Sequence, residues 1–385
     1  MNARPKPTVA TLFLDMENVH LIKDPGMIPL TLQQRYGWRA VIPLWDDREY
    51  PYKATYFSEV CTPLLKGHPS PRRRHLTLFS WLRKNAPRID VLHLFFFERW
   101  TWLYIWLYKR RNPAGAVYVH CDTDGQRLLD YQLPASGWKR RIIRTLLSDQ
   151  NIRDVLWGVQ NRQNSEKLQK KWPFENIRYI PNGVSWRQER EVPYEQRSDT
   201  ILTVARNGDP SKKTDLLLEG FAAVAAEFPR WKLRLVGTVE PDFEPYIQEY
   251  FQRHPELRER VWFSGPVTDR DELQQIYSDA KVFCLPSAWE SFGLATVEAL
   301  SCGCYAIGSD IPANVNMLRD GTYGTLFASG SLEDLTEKLR QCLRDEPHMK
   351  ATAQAAYRYV AAHYTWEKAL EPVVAWVNRK KEKQP

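Results

Sequence analysis

Residues 283–308 read FCLPSAWESFGLATVEALSCGCYAIG, and this stretch carries the most informative pattern of the 385-residue chain. An apolar run ends at a Pro-Ser turn, a loop with Glu290 follows, and a helix is predicted from about Leu294. Glu298 lies in that helix, eight positions after Glu290. A helix N-terminus offers free N–H groups that suit a phosphate, and a carboxylate suits a ribose diol. The stretch therefore predicts a strand, loop and helix that face a phosphorylated ligand.

Strand-like and helix-like runs alternate on both sides of this stretch. Such alternation predicts parallel sheets with helices on both faces. The pattern occurs twice, before and after a polar stretch near residues 186–199. We therefore expect an α/β protein with two Rossmann-like doubly wound domains that face a central cleft, with ligands beyond the carboxyl ends of the strands. In the first half the pattern predicts helices over 21–36, 100–111 and 140–147, and a strand over 54–57.

The segment around Glu290 resembles the E-x7-E signature of family 4 retaining glycosyltransferases, which have the GT-B fold. The matching residues are Pro286, Ser287, Glu290, Ser291, Phe292, Gly293, Glu298, Ala299, Leu300, Ser301 and Gly303. Further segments resemble the family in the same order, namely 181–184, 201–206, 212–217, 261–267 and 364–367. The resemblance covers residues 181–385 well and the first half more weakly.

The resemblance implies a set of donor-binding residues. Arg206 and Lys212 would hold the diphosphate of a nucleotide sugar, Glu298 its ribose, and Glu290 the donor sugar. The helix N-terminus at Phe292, Gly293 and Leu294 and the base-binding loop at Gly265, Pro266 and Val267 complete this set. The family's glycines are replaced by Ala205 and Lys213, so Lys213 remains an alternative to Lys212.

The first half offers two further candidates. His120 lies where the family has an active-site histidine, which would contact a sugar hydroxyl or orient the acceptor; a structural cap is the alternative. Gly26 is what remains of the family's Gly-Gly loop, reduced here to residues 23–26. The family needs no metal, and we expect no cofactor besides the donor substrate. Asp122-Thr123-Asp124 has the letters of a metal motif, but we interpret it as a loop.

Charge is unevenly distributed along the chain. Residues 1–185 carry a net charge of +13 and the remainder −5. A basic half indicates an anionic partner. Basic residues flank Trp and Tyr in segments 71–74, 81–84 and 99–111, which suits a membrane headgroup region. The alternative is that residues 100–108 form a core helix. The longest apolar stretch, 91–108, is interrupted by charges and is too short to span a bilayer, and no nucleic-acid motif is present.

The resemblance implies a retaining glycosyltransferase that moves a sugar from a UDP- or GDP-sugar to a glycan or polyprenyl-linked acceptor, in bacterial surface polysaccharide or glycolipid assembly. We expect it in the cytoplasm or on the inner membrane face. The expected domains are an acceptor-side domain (1–185), a linker (186–199), a nucleotide-sugar-binding domain (200–363) and a helix that crosses back (364–385). The alternatives are a non-catalytic glycan- or lipid-binding subunit and a GT-B-fold sugar-nucleotide epimerase.

Overall fold

The computed structural model describes residues 6–96, 98–121, 153–172, 174–184 and 192–382. The chain folds into two compact units. Unit 1 comprises Met1–Gly183 and Trp366–Pro385, and unit 2 comprises Val184–Thr365. Each unit contains a six-stranded sheet. This arrangement confirms the predicted α/β class with two Rossmann-like domains.

Unit 1 is a parallel sheet with helices packed on it. Its described strands are β1 (Thr8–Leu12), β2 (Arg39–Val41), β3 (Leu44–Trp45), β4 (Leu64–Leu65), β5 (Val91–Phe95), β6 (Ala116–Cys121), β7 (Leu156–Val159) and β8 (Asn176–Tyr179). Its described helices before residue 184 are α1 (Asn18–Leu21), α2 (Asp24–Tyr36), α3 (Pro51–Tyr56), α4 (Pro71–Asn85), α5 (Arg99–Arg111) and α6 (Arg162–Lys171). The main sheet has the order β2-β1-β5-β6-β7-β8, and β3 pairs with β4 separately.

Two predicted elements of unit 1 are wrong in detail. Residues 54–57 were expected to form a strand, but they overlap the end of helix α3, whose first residue is Pro51. The helix expected over 21–36 is two helices, because α1 ends at Leu21 and α2 begins at Asp24 with Pro25 in its first turn. Proline favours the first turn of a helix, where its missing N–H has no intrahelical partner to lose. The helix predicted over 140–147 lies outside the described residues.

Unit 2 repeats the doubly wound plan. Its described strands are β9 (Ser198–Val204), β10 (Lys232–Val236), β11 (Val261–Phe263), β12 (Ala280–Leu285), β13 (Tyr305–Ser309) and β14 (Thr325–Phe327). Its described helices are α7 (Thr214–Ala225), α8 (Glu244–Arg253), α9 (Arg270–Asp279), α10 (Leu294–Ser301), α11 (Pro312–Met317), α12 (Leu332–Arg344) and α13 (Glu346–His363). The sheet order is β11-β10-β9-β12-β13-β14. Strand β9 begins at Ser198, inside the stretch expected to be a linker, because Ser198 is in register with Ala280 of β12.

The last helix, α14 (Trp366–Glu382), belongs to unit 1. Its apolar face joins the unit 1 core through Trp366, Leu370, Val373, Trp376 and Val377. Tyr36 of α2 donates a hydrogen bond of 2.8 Å to the backbone oxygen of Glu367. Burial of five large apolar side chains makes α14 an integral part of the unit 1 core rather than an appendage.

The six cysteines are free thiols, five of them buried. In the part of the chain that the structure describes, no helix combines the length and the apolar content that a bilayer crossing requires.

Candidate active site

Two loops of unit 2 lie side by side at the carboxyl edge of its sheet. Strands β9 and β12 are parallel neighbours, so the loops that follow them, 205–213 and 286–293, emerge at the same edge. Ala288 donates its backbone N–H to the oxygen of Ser211 at 2.8 Å, which joins the two loops directly. In open α/β sheets this edge is where ligands bind. The predicted donor-binding residues on these loops are therefore brought together.

Lys212 and Glu290 form an ion pair across the two loops. The Lys212 Nζ donates to Glu290 Oε1 at 2.6 Å, and the Ser287 hydroxyl donates to the same oxygen at 2.8 Å. The two charged side chains are only 18% and 12% exposed. The pair places a cation and a carboxylate next to each other at the edge of the sheet, with limited access to water.

The two adjacent lysines differ in conformation. Lys213 is the N-cap of α7 and has left-handed backbone angles, φ 52° and ψ 44°. This conformation favours glycine, which accounts for the glycine that the family has at this position. The structure thus gives the ion pair to Lys212 and a backbone turn to Lys213.

Arg206 reaches outward from the end of β9. Its side chain is 65% exposed and forms an ion pair with Asp209. Asp209 also accepts hydrogen bonds from the N–H and the hydroxyl of Ser211, at 2.8 and 2.6 Å. The Ser211 hydroxyl, with a smaller contribution from Arg206, lowers the pKa of Asp209. Asp209 was not predicted from the sequence, although its position three residues after Arg206 is a signal for such a contact.

The N-terminus of α10 is open. Gly293, its N-cap, has φ 86°, in the left-handed region. The backbone N–H groups of Thr296 and Val297 are directed to the Gly293 oxygen. Those of Gly293, Leu294 and Ala295 make no hydrogen bond with any residue that the structure describes. Phe292 is buried and fixes the loop beneath them. Such unengaged donors at the positive end of a helix suit a phosphate oxygen.

Glu298 lies on α10 and contacts α9. The hydroxyl of Tyr277 donates to Glu298 Oε2 at 3.1 Å. Tyr277 is fully buried, and burial raises the pKa of its hydroxyl well above the usual value. Tyr277 therefore stays a neutral donor that orients the carboxylate. Tyr277 could not be predicted from the sequence, because nothing local relates positions 277 and 298.

The predicted base-binding loop follows β11. Gly265 has φ 69°, and its oxygen accepts the N–H of Gly237 at 2.9 Å. Pro266 is exposed, and Val267 packs against the cluster that contains Leu285 and Ala299. This loop leaves the same carboxyl edge, since β10 and β11 are parallel.

His120 of unit 1 is completely buried at the end of β6. Its Nδ1 lies 2.7 Å from the Tyr118 hydroxyl, and its Nε2 lies 3.4 Å from Oδ2 of Asp24, in the first turn of α2. Contact with a sugar would require Asp24 to move, so the role predicted for His120 stays a prediction. Gly26 is buried in the same turn, where a Cβ would lie 1.9 Å from the Leu21 oxygen, so close backbone approach explains this glycine.

The absence of a metal requirement stays a prediction. Asp122-Thr123-Asp124 lies outside the described residues. Within the described ranges no group of three or more His, Cys, Asp or Glu side chains is placed to hold a metal ion.

Comparison with known proteins agrees with this geometry. Residues 185–359 match the family of glycosyl transferases group 1. The chain is 30% identical over 300 residues to the phosphatidyl-myo-inositol mannosyltransferase of Mycobacterium leprae, a match that covers 74% of this chain and 73% of that protein. It is 27% identical over 192 residues to the serotype-specific mannosyltransferase WbdA of Escherichia coli, a match that covers 50% of this chain and 22% of WbdA.

Among solved structures, Alr3699/HepE of Anabaena in complex with UDP aligns over 97% of this chain and 100% of that chain. The TM-score is 0.71 at 16% sequence identity, so this likeness shows the fold. The carboxyl-edge loops, the E-x7-E segment and these similarities lead to one conclusion: the chain is a glycosyltransferase of the group 1 family with the GT-B fold.

Proposed function

We propose that this glycosyltransferase is a retaining enzyme that transfers a sugar from a nucleoside diphosphate sugar to a glycan or glycolipid acceptor in bacterial surface polysaccharide or glycolipid assembly. The observation that carries the proposal is the Lys212–Glu290 ion pair beside the open N-terminus of α10. The names of its relatives support it, since one acts on phosphatidyl-myo-inositol and a fold neighbour binds UDP.

The chemistry follows from where charge develops. Cleavage of the anomeric bond leaves negative charge on the diphosphate and positive charge on the sugar ring. Hydrogen-bond donors that are already oriented toward the developing charge stabilise it most. Lys212, Arg206 and the free N–H groups at residues 293–295 would take the negative charge, Glu298 would hold the ribose, and Glu290 would accept a hydrogen bond from the donor sugar.

Retention requires a defined route for the acceptor. The acceptor hydroxyl attacks the anomeric carbon on the face from which the diphosphate leaves, and a phosphate oxygen accepts the hydroxyl proton. In this route Lys212 would lie between the leaving diphosphate and Glu290, so its charge serves both groups.

A panel of UDP- and GDP-sugars tests the proposal. We expect slow hydrolysis of one donor to free sugar and nucleoside diphosphate, and early NMR spectra of the released or transferred sugar should show the donor's anomeric configuration. The opposite configuration would contradict retention. Binding of a donor without turnover would favour a non-catalytic subunit, and release of an isomerised nucleotide sugar would favour an epimerase.

A membrane surface is the second part of the proposal, and helices α4 and α5 carry it. The two helices are adjacent, and neither contains an Asp or Glu residue. They expose seven cations, Arg72, Arg73, Arg83, Lys84, Arg99, Arg110 and Arg111. We call this the basic helical surface. Its charge suits an anionic headgroup layer, where each cation contributes about 1 kcal/mol.

Apolar side chains lie among these cations. Leu76, Leu103 and Trp106 are 58%, 43% and 38% exposed, and the Arg110 guanidinium lies 5.1 Å from the centre of the Trp106 ring. Leu103 and Trp106 share the outer face of α5, whereas Tyr104 and Ile105 are buried. The core interpretation of residues 100–108 therefore applies to one face of α5, and the proposed membrane contact would use the opposite face.

Vesicle co-sedimentation over a salt series tests this second part. Wild-type protein should bind phosphatidylglycerol vesicles at low salt and dissociate as salt rises, because such attraction is screened. Arg72/Arg110/Arg111→Gln should abolish binding. The matched control Lys167/Lys170/Lys171→Gln removes three exposed cations from α6 of the same unit and should retain it. If both variants lost vesicle binding equally, net charge alone would explain the binding, and the basic helical surface would have no special role.

A further inference from the structure

The loop that carries Glu290 leaves strand β12 where backbone pairing with β13 stops. The two strands are parallel, and their register ends at Leu285 opposite Gly308. Pro286 comes next, and because it has no N–H it cannot donate to extend the ladder. The position of Glu290 therefore depends on contacts that the backbone ladder does not supply.

The side chain of Ser309 supplies one such contact. Ser309 is the last residue of β13 and is fully buried, and its hydroxyl donates to the backbone oxygen of Ser287. The Ser287 hydroxyl in turn donates to Glu290 Oε1 at 2.8 Å, the same oxygen that accepts from Lys212. Two hydrogen bonds therefore join the end of β13 to the carboxylate of the ion pair.

Asn314 of α11 holds Ser309 from the other side. Its Nδ2 donates to the Ser309 backbone oxygen at 3.0 Å and lies 3.4 Å from the Ser309 hydroxyl oxygen. The side chain is 1% exposed and packs on Gly308, where a Cβ would lie 2.8 Å from Nδ2. We call Asn314, Ser309 and Ser287 the buried hydrogen-bond chain. It connects α11 to the loop that carries Glu290.

The other end of the Asn314 amide faces the N-terminus of α10. Its Oδ1 lies 3.9 Å from the position that a Cβ of Gly293 would take, and it has no hydrogen-bond partner among the residues that the structure describes. A buried oxygen without a partner costs free energy. Packing alone would therefore favour an apolar residue at position 314, and the bonds that Nδ2 makes to Ser309 account for the asparagine.

We propose that Ser309 and Asn314 are positioning residues of the transfer reaction. Through the Ser287 backbone they hold the Glu290 carboxylate against Lys212. Groups that stabilise a developing charge are most effective when their positions are fixed before the reaction. Glu290 lies on a loop, and the buried hydrogen-bond chain attaches this loop to the end of a central strand. The inference rests on the proposed function and adds residues outside the E-x7-E segment to it.

Steady-state kinetics of donor hydrolysis tests the positioning role. Ser309→Ala removes a single hydroxyl and should lower kcat about tenfold, because a small displacement of a group at the reacting centre has effects of about this size. KM should stay within about twofold, since the contacts to ribose and base are untouched. Ser309→Cys keeps a weak donor and should recover part of kcat. A wild-type kcat in Ser309→Ala would overturn the proposal.

Tyr305→Phe is the matched control. Tyr305 is the first residue of β13, at the opposite end of the strand from Ser309, and its buried hydroxyl lies 2.6 Å from Oγ1 of Thr325. Both variants remove one buried hydroxyl from the same strand, so both should lose stability in urea unfolding. Only Ser309→Ala should lose kcat. An equal fall in kcat for Tyr305→Phe would show that turnover follows stability, which contradicts a positioning role.

A double-mutant cycle shows whether Ser309 acts through Glu290. In a Glu290→Gln background, Ser309→Ala should lower kcat by less than about twofold, because the effects of residues in one chain of contacts are not additive. A loss as large as in the wild-type background would refute action through Glu290. Asn314→Leu keeps the approximate side-chain size and should reproduce Ser309→Ala. If Asn314→Leu does not fold, the serine variants still decide.

Crystal structures separate failure of this inference from failure of the proposed function, because they require no turnover. In Ser309→Ala the distance between Lys212 Nζ and Glu290 Oε1, 2.6 Å in the wild type, should lengthen beyond hydrogen-bond range. An unchanged distance would count against the positioning role alone. Failure of the wild-type protein to hydrolyse any nucleotide sugar would count against the proposed function, and the structural comparison would still decide the positioning role.

Discussion

The carboxyl edges of the two sheets share the same topology but carry different side chains. In unit 2 the charged side chains are paired: Lys212 with Glu290 and Arg206 with Asp209. In unit 1 the edge where β1 and β5 end is lined by Phe13, Phe95 and Trp100, and the carboxylates of Asp15 and Glu98 beside it form no ion pair with any residue that the structure describes. Strand order therefore fixes where ligands can bind, and the loops fix which ligand binds.

The difference also separates two uses of ionisable groups. In the proposed mechanism, a paired lysine such as Lys212 would be held ready for a charge that develops during the reaction. Unpaired carboxylates can accept hydrogen bonds from a ligand that remains neutral. The predictions that follow test this contrast, starting with the largest expected effect.

Lys212→Ala should lower donor turnover roughly 100-fold, because removal of one preoriented donor from a developing anion has effects of about that size. Lys213→Gly is the matched control. It relieves a left-handed backbone position and should leave turnover within about twofold. Steady-state hydrolysis rates compare the two. If Lys213→Gly lost most of its turnover and Lys212→Ala kept it, the diphosphate contact would belong to Lys213 instead of Lys212.

Arg74→Ala should destabilise unit 1 by about 2 kcal/mol, a factor of roughly 30 in the unfolding constant. Unlike its neighbours on α4, Arg74 is buried: it donates to Asp47 at 2.7 Å and to the His68 oxygen at 2.6 Å. Arg72→Ala removes an exposed cation and should change stability by less than about 0.5 kcal/mol. Urea unfolding measures both. Equal midpoints would mean that Arg74 is a surface cation like Arg72.

Glu298→Ala should weaken donor binding about tenfold, since a charge-assisted hydrogen bond contributes roughly 1.5–3 kcal/mol. Tyr277→Phe should weaken it less, because it only releases the carboxylate from its orienting donor. Calorimetric titration with the nucleoside diphosphate gives both affinities. Unchanged affinity in Glu298→Ala would remove the ribose assignment.

Asp209→Asn should have the smallest effect, about a threefold rise in the donor KM with kcat nearly unchanged. The substitution weakens the ion pair that restrains the exposed Arg206 side chain, so the arginine loses order in the free enzyme. Steady-state kinetics of donor hydrolysis separates the two constants. A fall in kcat instead would indicate that Asp209 acts on the reacting groups themselves.

Much of unit 2 could be predicted because its signals are local. Glu290 and Glu298 lie in one short strand–loop–helix segment, and the helix predicted from about Leu294 is α10, which begins at that residue. The choice between Lys212 and Lys213 was not decidable from spacing, because it depends on the left-handed backbone of residue 213.

The rest depends on contacts between distant positions. Asp24 reaches His120 only after α2 packs beside β6, and the contact between His75 and Trp100 requires α4 and α5 to assemble. Periodicity along the chain carries no information about contacts between residues that are distant in sequence. The same limit left residues 100–108 with two interpretations, because only packing shows that Tyr104 is buried and Trp106 exposed.

The position of α14 has a consequence for synthesis on the ribosome. Unit 2 ends at Thr365, and its two ends meet, since Val184 donates its N–H to the Tyr364 oxygen at 2.7 Å. Unit 2 can therefore fold as soon as it leaves the exit tunnel, whereas unit 1 lacks Leu370, Val373 and Val377 of its core until the last helix emerges. The half of the molecule that is translated first completes its fold last, and meanwhile it exposes an apolar surface that a chaperone would recognise.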